Sequence, residues 1–545
     1  MVRLQSLLIA MAVHMLVGIA FPRAADASPA KEPGAIENTI PTQIKPKSPA
    51  LTVSLPVVVN SVQPPDHRKF TLGALNIDGA TVFSQEQLSR YFEPYLATEV
   101  DQSKLGEIAM AITARYRQSG YILSYATLPS QDVVAGMVRL QVVEGRVDNV
   151  IVQGAGKAER TIKAIAAPLT HSGPLREDSL ERTLGLLRDL PGYTVTDVAL
   201  LRSAADPSLY TLKITVGRTH THGFLYADSR GTSDDRHARI YSSFSVTSLG
   251  LQGDELRVDM FAMPESHSRF LFGQVLAAVP LGSNGLRLSA WASRGDQSLW
   301  SGPNFSGVSE NFSVQLSYPF KRSRALTVVG KASFTDWRSV GNQQGTRQLH
   351  DRLRVARIGA EISHEGAANF QGELLLSQGI PFSGMTRTGD PLASRPGGSG
   401  RFTKFWALAQ LSCPLSDRFT LRAVGVAQYA SRPLLSVEEF SLGGDRIGRG
   451  YDFNSRIGDQ GAGGGLEIGY RTGKAAATPE VFGYADGGIA VELGSPVAPR
   501  RTRSLASAGI GSRFSLGGIR ISVEAGVPLH SASHPRLFAS VFRAF

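Results

Sequence analysis

A single cysteine, Cys413, stands in this chain of 545 residues. An internal disulfide framework is therefore excluded, and packing and backbone hydrogen bonds must hold the fold. Beyond the N-terminus no run approaches the roughly 18 apolar residues that a membrane-spanning helix needs. Charged residues make up only 19% and hydrophobic residues 42%, too apolar for a disordered chain and too evenly mixed for a helical membrane bundle. The net charge is +11, but Lys and Arg are scattered singly, without the basic stripe or recognition helix that binding to nucleic acid demands.

Catalytic constellations are missing as well. No Gly-x-Ser-x-Gly element occurs, and the run Gly461 to Gly465 is followed by neither Lys-Ser nor Lys-Thr, so it lacks the parts of a phosphate loop. His220 and His222 have metal-ligand spacing on a strand but no third ligand nearby. With no activated nucleophile in view, the chain is expected to be neither an enzyme nor a carrier of a cofactor or metal.

What is present divides the chain. Arg3, the apolar stretch Leu7 to Phe21 and Ala25-Asp26-Ala27 have the order of a secretory signal, giving a signal peptide over 1–27. Residues 28–68 hold Pro29, Pro33, Pro41, Pro46, Pro49, Pro56, Pro64 and Pro65, which prevent sustained helix or ladder and make a linker. An α+β pattern follows. Phe70 to Ile77 is a candidate strand, Ser84 and Gln87 form a capping box, and Leu105, Ile108, Ala109, Ile112 and Tyr116 fall at helical spacing ahead of Gly120. Strands over Ile122 to Ala126 and Met137 to Val143 close the pattern. The order then recurs: a strand over Val147 to Val152, a helix over Ala158 to Ala167 ended by Pro168, a helix through Leu180, Leu184 and Leu187, and strands over Thr194 to Leu201 and Tyr210 to Val216. Two small domains in tandem are expected, at 69–146 and 147–217.

From about residue 218 to the end helical spacing vanishes and alternation takes over. Leu256, Val258 and Met260 alternate with Arg257, Asp259 and Phe261, and Phe312, Val314 and Leu316 with Ser313, Gln315 and Ser317. A transmembrane barrel puts one such face against lipid and the other against water. A soluble β-sandwich would also alternate, but the absence of any helical insert over this length disfavours it. Val279-Pro280-Leu281, Tyr318-Pro319-Phe320, Cys413-Pro414-Leu415 and Val527-Pro528-Leu529 read as strand ends leading into short periplasmic turns, and Thr386 to Arg401 as a longer loop at the opposite end.

Two sets of motifs carry a family resemblance. Tyr116-Arg117-Gln118-Ser119-Gly120-Tyr121-Ile122, Leu128-Pro129-Ser130-Gln131-Asp132 and Gly136-Met137-Val138-Arg139-Leu140-Gln141-Val142-Val143-Glu144-Gly145-Arg146-Val147 resemble the first POTRA domain of two-partner secretion transporters, the haemolysin and haemagglutinin secretion/activation proteins. Phe440 to Tyr451, with Arg449-Gly450-Tyr451 at its close and followed by Gly458-Asp459-Gln460-Gly461 and Glu467, resembles the inward-folding sixth extracellular loop of the Omp85 superfamily. Tyr484-Ala485-Asp486-Gly487-Gly488 resembles that superfamily's aromatic-x-Asp-x-Gly strand motif. The fold so implied is α+β tandem POTRA domains followed by an all-β transmembrane barrel of about sixteen antiparallel strands. Arg449, Gly450, Tyr451, Asp486 and Gly488 become a loop lock in which the Arg449 guanidinium pairs with the Asp486 carboxylate. A terminal aromatic such as Phe545 is read in that class by the barrel assembly machinery, and a helix near the mature N-terminus plugs the pore, although residues 28–68 show no amphipathic helix.

The function implied is an outer-membrane pore with periplasmic POTRA domains. It exports a large, unfolded, haemolysin- or adhesin-like exoprotein without nucleotide hydrolysis, sits in outer-membrane lipid as a monomer, and binds no nucleic acid. A superfamily member that assembles other barrels would usually carry more POTRA domains. A passive porin would have no use for them.

Overall fold

The computed structural model describes Val53–Ser54 and residues 69–231, 238–264, 268–299, 304–395, 397–473, 478–496, 498–530 and 535–545. The expected signal peptide and nearly all of the proline-rich linker, on which the open question of a plug helix falls, lie outside the described residues. The chain forms two compact units that divide between Thr219 and His220.

The N-terminal unit contains two α/β halves. In the first, Met137–Val143 is the middle strand, parallel to Ala74–Asp78 and antiparallel to Tyr125–Thr127. The capping box is present: the Ser84 hydroxyl accepts from Gln87 N, and the Gln87 side chain accepts from Ser84 N. Helix Gln102–Gln118 starts at Asp101, whose carboxylate accepts from Lys104 N at 2.9 Å. Its buried stripe of Leu105, Ile108, Ala109, Ile112 and Tyr116 packs on Leu75, Ile77, Val138, Leu140 and Val142. Each fully buried Leu or Ile there contributes roughly 1.5–3 kcal/mol. Gly120, at φ 87°, turns the chain out of the helix. The expected strand over Phe70 to Ile77 is broken into Phe70–Thr71 and Ala74–Asp78, because the intervening Leu72 and Gly73 hydrogen-bond to Thr98 and Gly136 rather than to a continuous ladder.

The second half has the sheet order Val53–Ser54, Tyr193–Arg202, Leu209–Arg218, Arg146–Gln153. Its core joins Ile162 and Leu169 to Leu184, Leu187, Leu212 and Ile214. The helix expected to stop ahead of Pro168 does so, spanning Glu159–Ala166, and Pro168 then opens a separate short helix, Pro168–His171, as its first residue, where a missing N–H costs nothing.

The C-terminal unit is a closed barrel of sixteen antiparallel strands, each paired with its neighbours in sequence. Closure joins the first strand, Thr221–Asp228, to the last, Arg536–Ala544, with Phe224 opposite Ala544 and Asp228 opposite Ser540. The period-two pattern resolves as a barrel requires: Val258, Met260, Phe312 and Leu316 are exposed on the outside, while Asp259, Phe261 and Ser313 are buried towards the lumen. No helix among the described residues is long and apolar enough to cross a membrane.

Strand direction assigns the proline phrases to ends. Pro280 and Pro414 close strands that run back towards the end where the chain enters the barrel at Thr221. Pro319 lies inside Phe305–Arg322, where a bulge between Pro319 and Lys321 absorbs its missing donor. Pro528 ends a strand running the other way, so its turn is at the outer end, contrary to the expectation of four periplasmic turns. The loop holding Thr386 to Arg401 joins Asn369–Gly379 to Thr403–Pro414 at that outer end.

Candidate functional site

Residues 431–459 connect strands Phe419–Ala430 and Gln460–Arg471 at the outer end. Within them Phe440–Leu442 pairs with Arg456–Gly458, making a hairpin that carries the Arg449-Gly450-Tyr451 motif at its tip. The tip returns on itself through Gly443 N donating to Ile447 O and Tyr451 N donating to Gly448 O, at 2.9 and 2.8 Å. Gly448 stands at φ 79°, a conformation that glycine adopts without strain. Phe440, Leu442, Ile447 and Tyr451 are buried in a cluster with Ala490 and Leu505 of the barrel wall, so the loop lies inside the barrel.

The wall is shaped for it. A Cβ on Gly488 would come within 2.8 Å of Gly463 Cα and 3.0 Å of Leu442 Cδ1. Across from it, a Cβ on Gly461 would meet the Phe440 ring and one on Gly463 would lie 2.9 Å from Ile447 Cγ2, so the glycine run in Gln460–Arg471 is a flat seat for apolar loop side chains, which accounts for a run that fits no phosphate loop.

Strand Glu480–Glu492 turns Phe482, Tyr484 and Asp486 inward and Val481, Ala485 and Ile489 outward. The Asp486 carboxylate accepts from Gly448 N at 2.8 Å and Arg449 N at 3.2 Å. Beside it the Ser507 hydroxyl accepts from Gly450 N at 3.1 Å and donates to Asp486. The Tyr451 phenol oxygen accepts from His530 N at 3.4 Å.

The guanidinium of Arg449 goes elsewhere. It lies over the Tyr484 ring, 3.7 Å from its centroid, and pairs with Glu467 at 2.8 Å and with Glu524. The expected side-chain pair between Arg449 and Asp486 is thus corrected: the motifs meet, but through the arginine's backbone amide. The reason is reach. The short Asp486 side chain is saturated by loop amides, and the long Arg449 side chain passes Tyr484 to the next inward carboxylates.

Around this centre the charges form a network in which Glu467, named with the loop motif, meets partners that the motifs did not reveal. Glu467 also pairs with Arg422 and Arg513, and Glu480 with Arg422. Glu524 pairs with Arg230, whose Nη1 donates to the backbone oxygens of Gly444 and Arg449 at 3.0 and 2.9 Å. A cavity of ≈ 480 Å³ adjoins the network, lined in part by Asp445, Arg446, Arg449, Glu467, Tyr484 and Arg513. Inward parity marks Glu467 as a lumen residue, but nothing local pairs it with Arg449.

The root of the loop has its own anchor. Asp459, fully buried, accepts from Leu434 N and Leu493 N at 2.6 Å each and from Arg395 Nη1 at 2.6 Å. Glu438 pairs with Lys404 at 2.5 Å and with Arg357. Such paired, hydrogen-bonded charges hold conformation, and stripping one partner leaves a buried charge costing several kcal/mol. No group of three or more metal-ligating side chains occurs among the described residues.

Comparison with known proteins agrees with this geometry. The profile of the POTRA domain of ShlB type matches residues 70–145, and that of the haemolysin secretion/activation proteins ShlB/FhaC/HecB matches residues 214–514. The chain is 23% identical to the outer membrane transporter CdiB of Dickeya dadantii over 411 residues, 72% of this chain and 71% of that one. It is 21% identical to the heme/hemopexin transporter protein HuxB of Haemophilus influenzae over 397 residues, 69% of this chain and 67% of that one. Its fold is similar to the structure of CdiB from Escherichia coli, with a TM-score of 0.72 and 19% identity over 94% of this chain and 95% of that one. A POTRA domain, a closed sixteen-strand barrel and a profile match over more than half its length together place this chain in the haemolysin secretion/activation family of outer-membrane two-partner secretion transporters.

Proposed function

We propose that the barrel exports one large, unfolded exoprotein of haemolysin or adhesin type, and that the inward loop governs passage through its lumen. The carrying observation is the hydrogen bonding of Asp486 to the backbone of Gly448 and Arg449, which fastens the loop tip to the inner wall. In this reading Arg449, Gly450, Tyr451, Asp486 and Gly488 act together as a lock.

The halves of the N-terminal unit act as two POTRA domains, at 69–146 and 147–217, that capture cargo in the periplasm by strand addition to a sheet edge. The transporter works as a monomer in outer-membrane lipid after insertion by the barrel assembly machinery. It catalyses no reaction and hydrolyses no nucleotide, and folding of the cargo outside the cell biases its movement. Deleting residues 147–216 tests the capture step. The expected result is a barrel present in the outer membrane with no cargo in the medium, and normal export by that deletion would refute it.

A further inference from the structure

The outer face of the barrel concentrates charge on four successive strands. On the successive strands Arg287–Leu299, Phe305–Arg322, Leu326–Gln343 and Thr346–His364, the residues Ser293, Ser313, Trp337 and Leu353 are buried inward, so the alternate positions face out. Register places Arg294 opposite Glu310, Glu310 opposite Arg338 and Arg338 opposite Arg352, a single outward row. One step closer to the entry end, Phe312, Asp336 and Arg354 form the next row.

Below these rows the outward positions turn apolar. Ala356, Ile358, Ala360 and Ile362 follow Arg354 down to His364, and Phe334, Ala332, Gly330 and Val328 follow Asp336. The interval from Arg354 to His364 is one bilayer crossing for a tilted strand, about 10 residues. Two strands away, Tyr318, level with Ala360 through Gly330, and Phe320 beyond it stand in the lower half of this interval, as the aromatics of an interfacial belt do. The charged rows therefore stand at the height of the outer-leaflet headgroups.

A depression of ≈ 600 Å³ opens there, lined by the arginines Arg294, Arg338 and Arg352, by the carboxylates Glu310 and Asp336, and by apolar residues that include Val275 and Phe312. Its arginines outnumber its carboxylates, and they are unequally paired. Arg294 is held by Asp296 at 3.0 Å and Glu310 at 2.8 Å, and Arg354 by Asp336 at 2.6 Å. Arg338 only reaches Glu310 at 4.0 Å. Arg352 has no ion pair among the described residues, its Nε is buried without a hydrogen-bond partner, so that a ligand would meet its terminal nitrogens, and its guanidinium lies 5.5 Å from the centroid of the Phe382 ring. All four cations are arginines, whose planar forks match phosphate oxygens in pairs as an ammonium does not.

We propose that this notch binds the phosphate of an outer-leaflet lipid of lipid A type, between Arg338 and Arg352, with the acyl chains lying along Val275 and Phe312. The full-length transporter in detergent is titrated with lipid A, with dephosphorylated lipid A and with inorganic phosphate, binding being read by native mass spectrometry and thermal shift. Arg338→Gln with Arg352→Gln is expected to weaken lipid A binding roughly tenfold or more, the equivalent of one charge-assisted hydrogen bond. Lys321→Gln, at the inner end of the same strands, should bind as the unaltered chain does. If the double variant does not assemble, Arg352→Lys decides, since it keeps the charge and loses the fork; a clear loss of affinity supports the site. Unchanged affinity in the double variant, or in Arg352→Lys where that is the one used, equal binding of the dephosphorylated lipid, or inorganic phosphate binding as tightly as lipid A would each overturn the proposal.

Discussion

Asp486 holds Arg449 by its backbone: the carboxylate accepts from Arg449 N at 3.2 Å while the guanidinium stands on Glu467 and Glu524. The two residues therefore have separable roles. Asp486 sets the position of the loop tip, and Arg449 ties that tip into the lumen's charge network.

Substitution at Asp486 and at Arg449 should accordingly differ. Asp486→Ala strips the acceptor from two loop amides, at about 1–3 kcal/mol for each donor left unsatisfied. Arg449→Ala leaves Glu467 to Arg422 and Arg513, and Glu524 to Arg230. Cargo in the medium, normalised to barrel in the outer membrane, is expected to fall further for Asp486→Ala. Combining Arg449→Asp with Asp486→Arg should rescue nothing, since it places a third carboxylate beside Glu467 and Glu524 and still deprives the amides. Recovery of export in the swap would show that direct side-chain pairing matters after all.

Gly450 is expected to tolerate no side chain. A Cβ there would lie 2.9 Å from Val527 C, 3.0 Å from Ser507 Cβ and 3.1 Å from Pro528 N, all parts of a stiff wall. Gly450→Ala should cost about 1–3 kcal/mol of loop docking by overpacking. Gly425→Ala, which meets nothing within 4 Å, should be silent. Limited proteolysis of the loop in intact cells, scored with export, separates the two; equal behaviour would mean that the loop tip is not seated as described.

In the N-terminal unit the Glu144 carboxylate accepts from Thr81 N and Val82 N at 2.8 and 2.9 Å, and from the Tyr116 hydroxyl at 2.7 Å. Burial pushes this carboxyl up, but the hydrogen bonds from Thr81, Val82 and Tyr116 outweigh it and hold the group below its ordinary range. A depressed carboxyl contributes stability that is complete above the unfolded value, about pH 4.3, and is lost as pH falls through the lower folded value. Glu144→Gln should therefore lower the thermal stability of residues 47–219 at neutral pH by roughly 1–2 kcal/mol and flatten the acid limb of the stability profile. An unchanged acid limb would remove Glu144 from that role.

Because the sixteen strands close on themselves, every strand of the barrel has two partners and no edge is left open. Unboiled protein extracted from outer membranes should migrate faster on a denaturing gel than the boiled sample, with or without reductant. Identical mobility would contradict a closed ladder.

Much of the architecture was legible because it is written in short periods. Leu105, Ile108, Ile112 and Tyr116 declare a helix by spacing alone, and Val258 and Met260 against Asp259 and Phe261 declare a two-faced strand. Gly120 and the Ser84 capping box mark ends by local chemistry. The proline phrases misled at Pro528 because proline reports that pairing stops, not at which end of the barrel it stops. Pro168 marked the end of one helix correctly but did not announce the short helix it opens, because the first turn of a helix accepts what its interior rejects.

By itself the sequence determined that this chain has an α+β part followed by alternating strands, and that Arg449 and Asp486 lie in motifs belonging together. Only the tertiary structure decided which atoms meet. In a closed lumen one guanidinium has Asp486, Glu467 and Glu524 within the same interior, and the choice depends on inter-strand register, on the depth to which the loop descends and on which acceptors the backbone has already filled. Glu524 is 75 residues from Arg449 along the chain, and no local period connects positions that far apart.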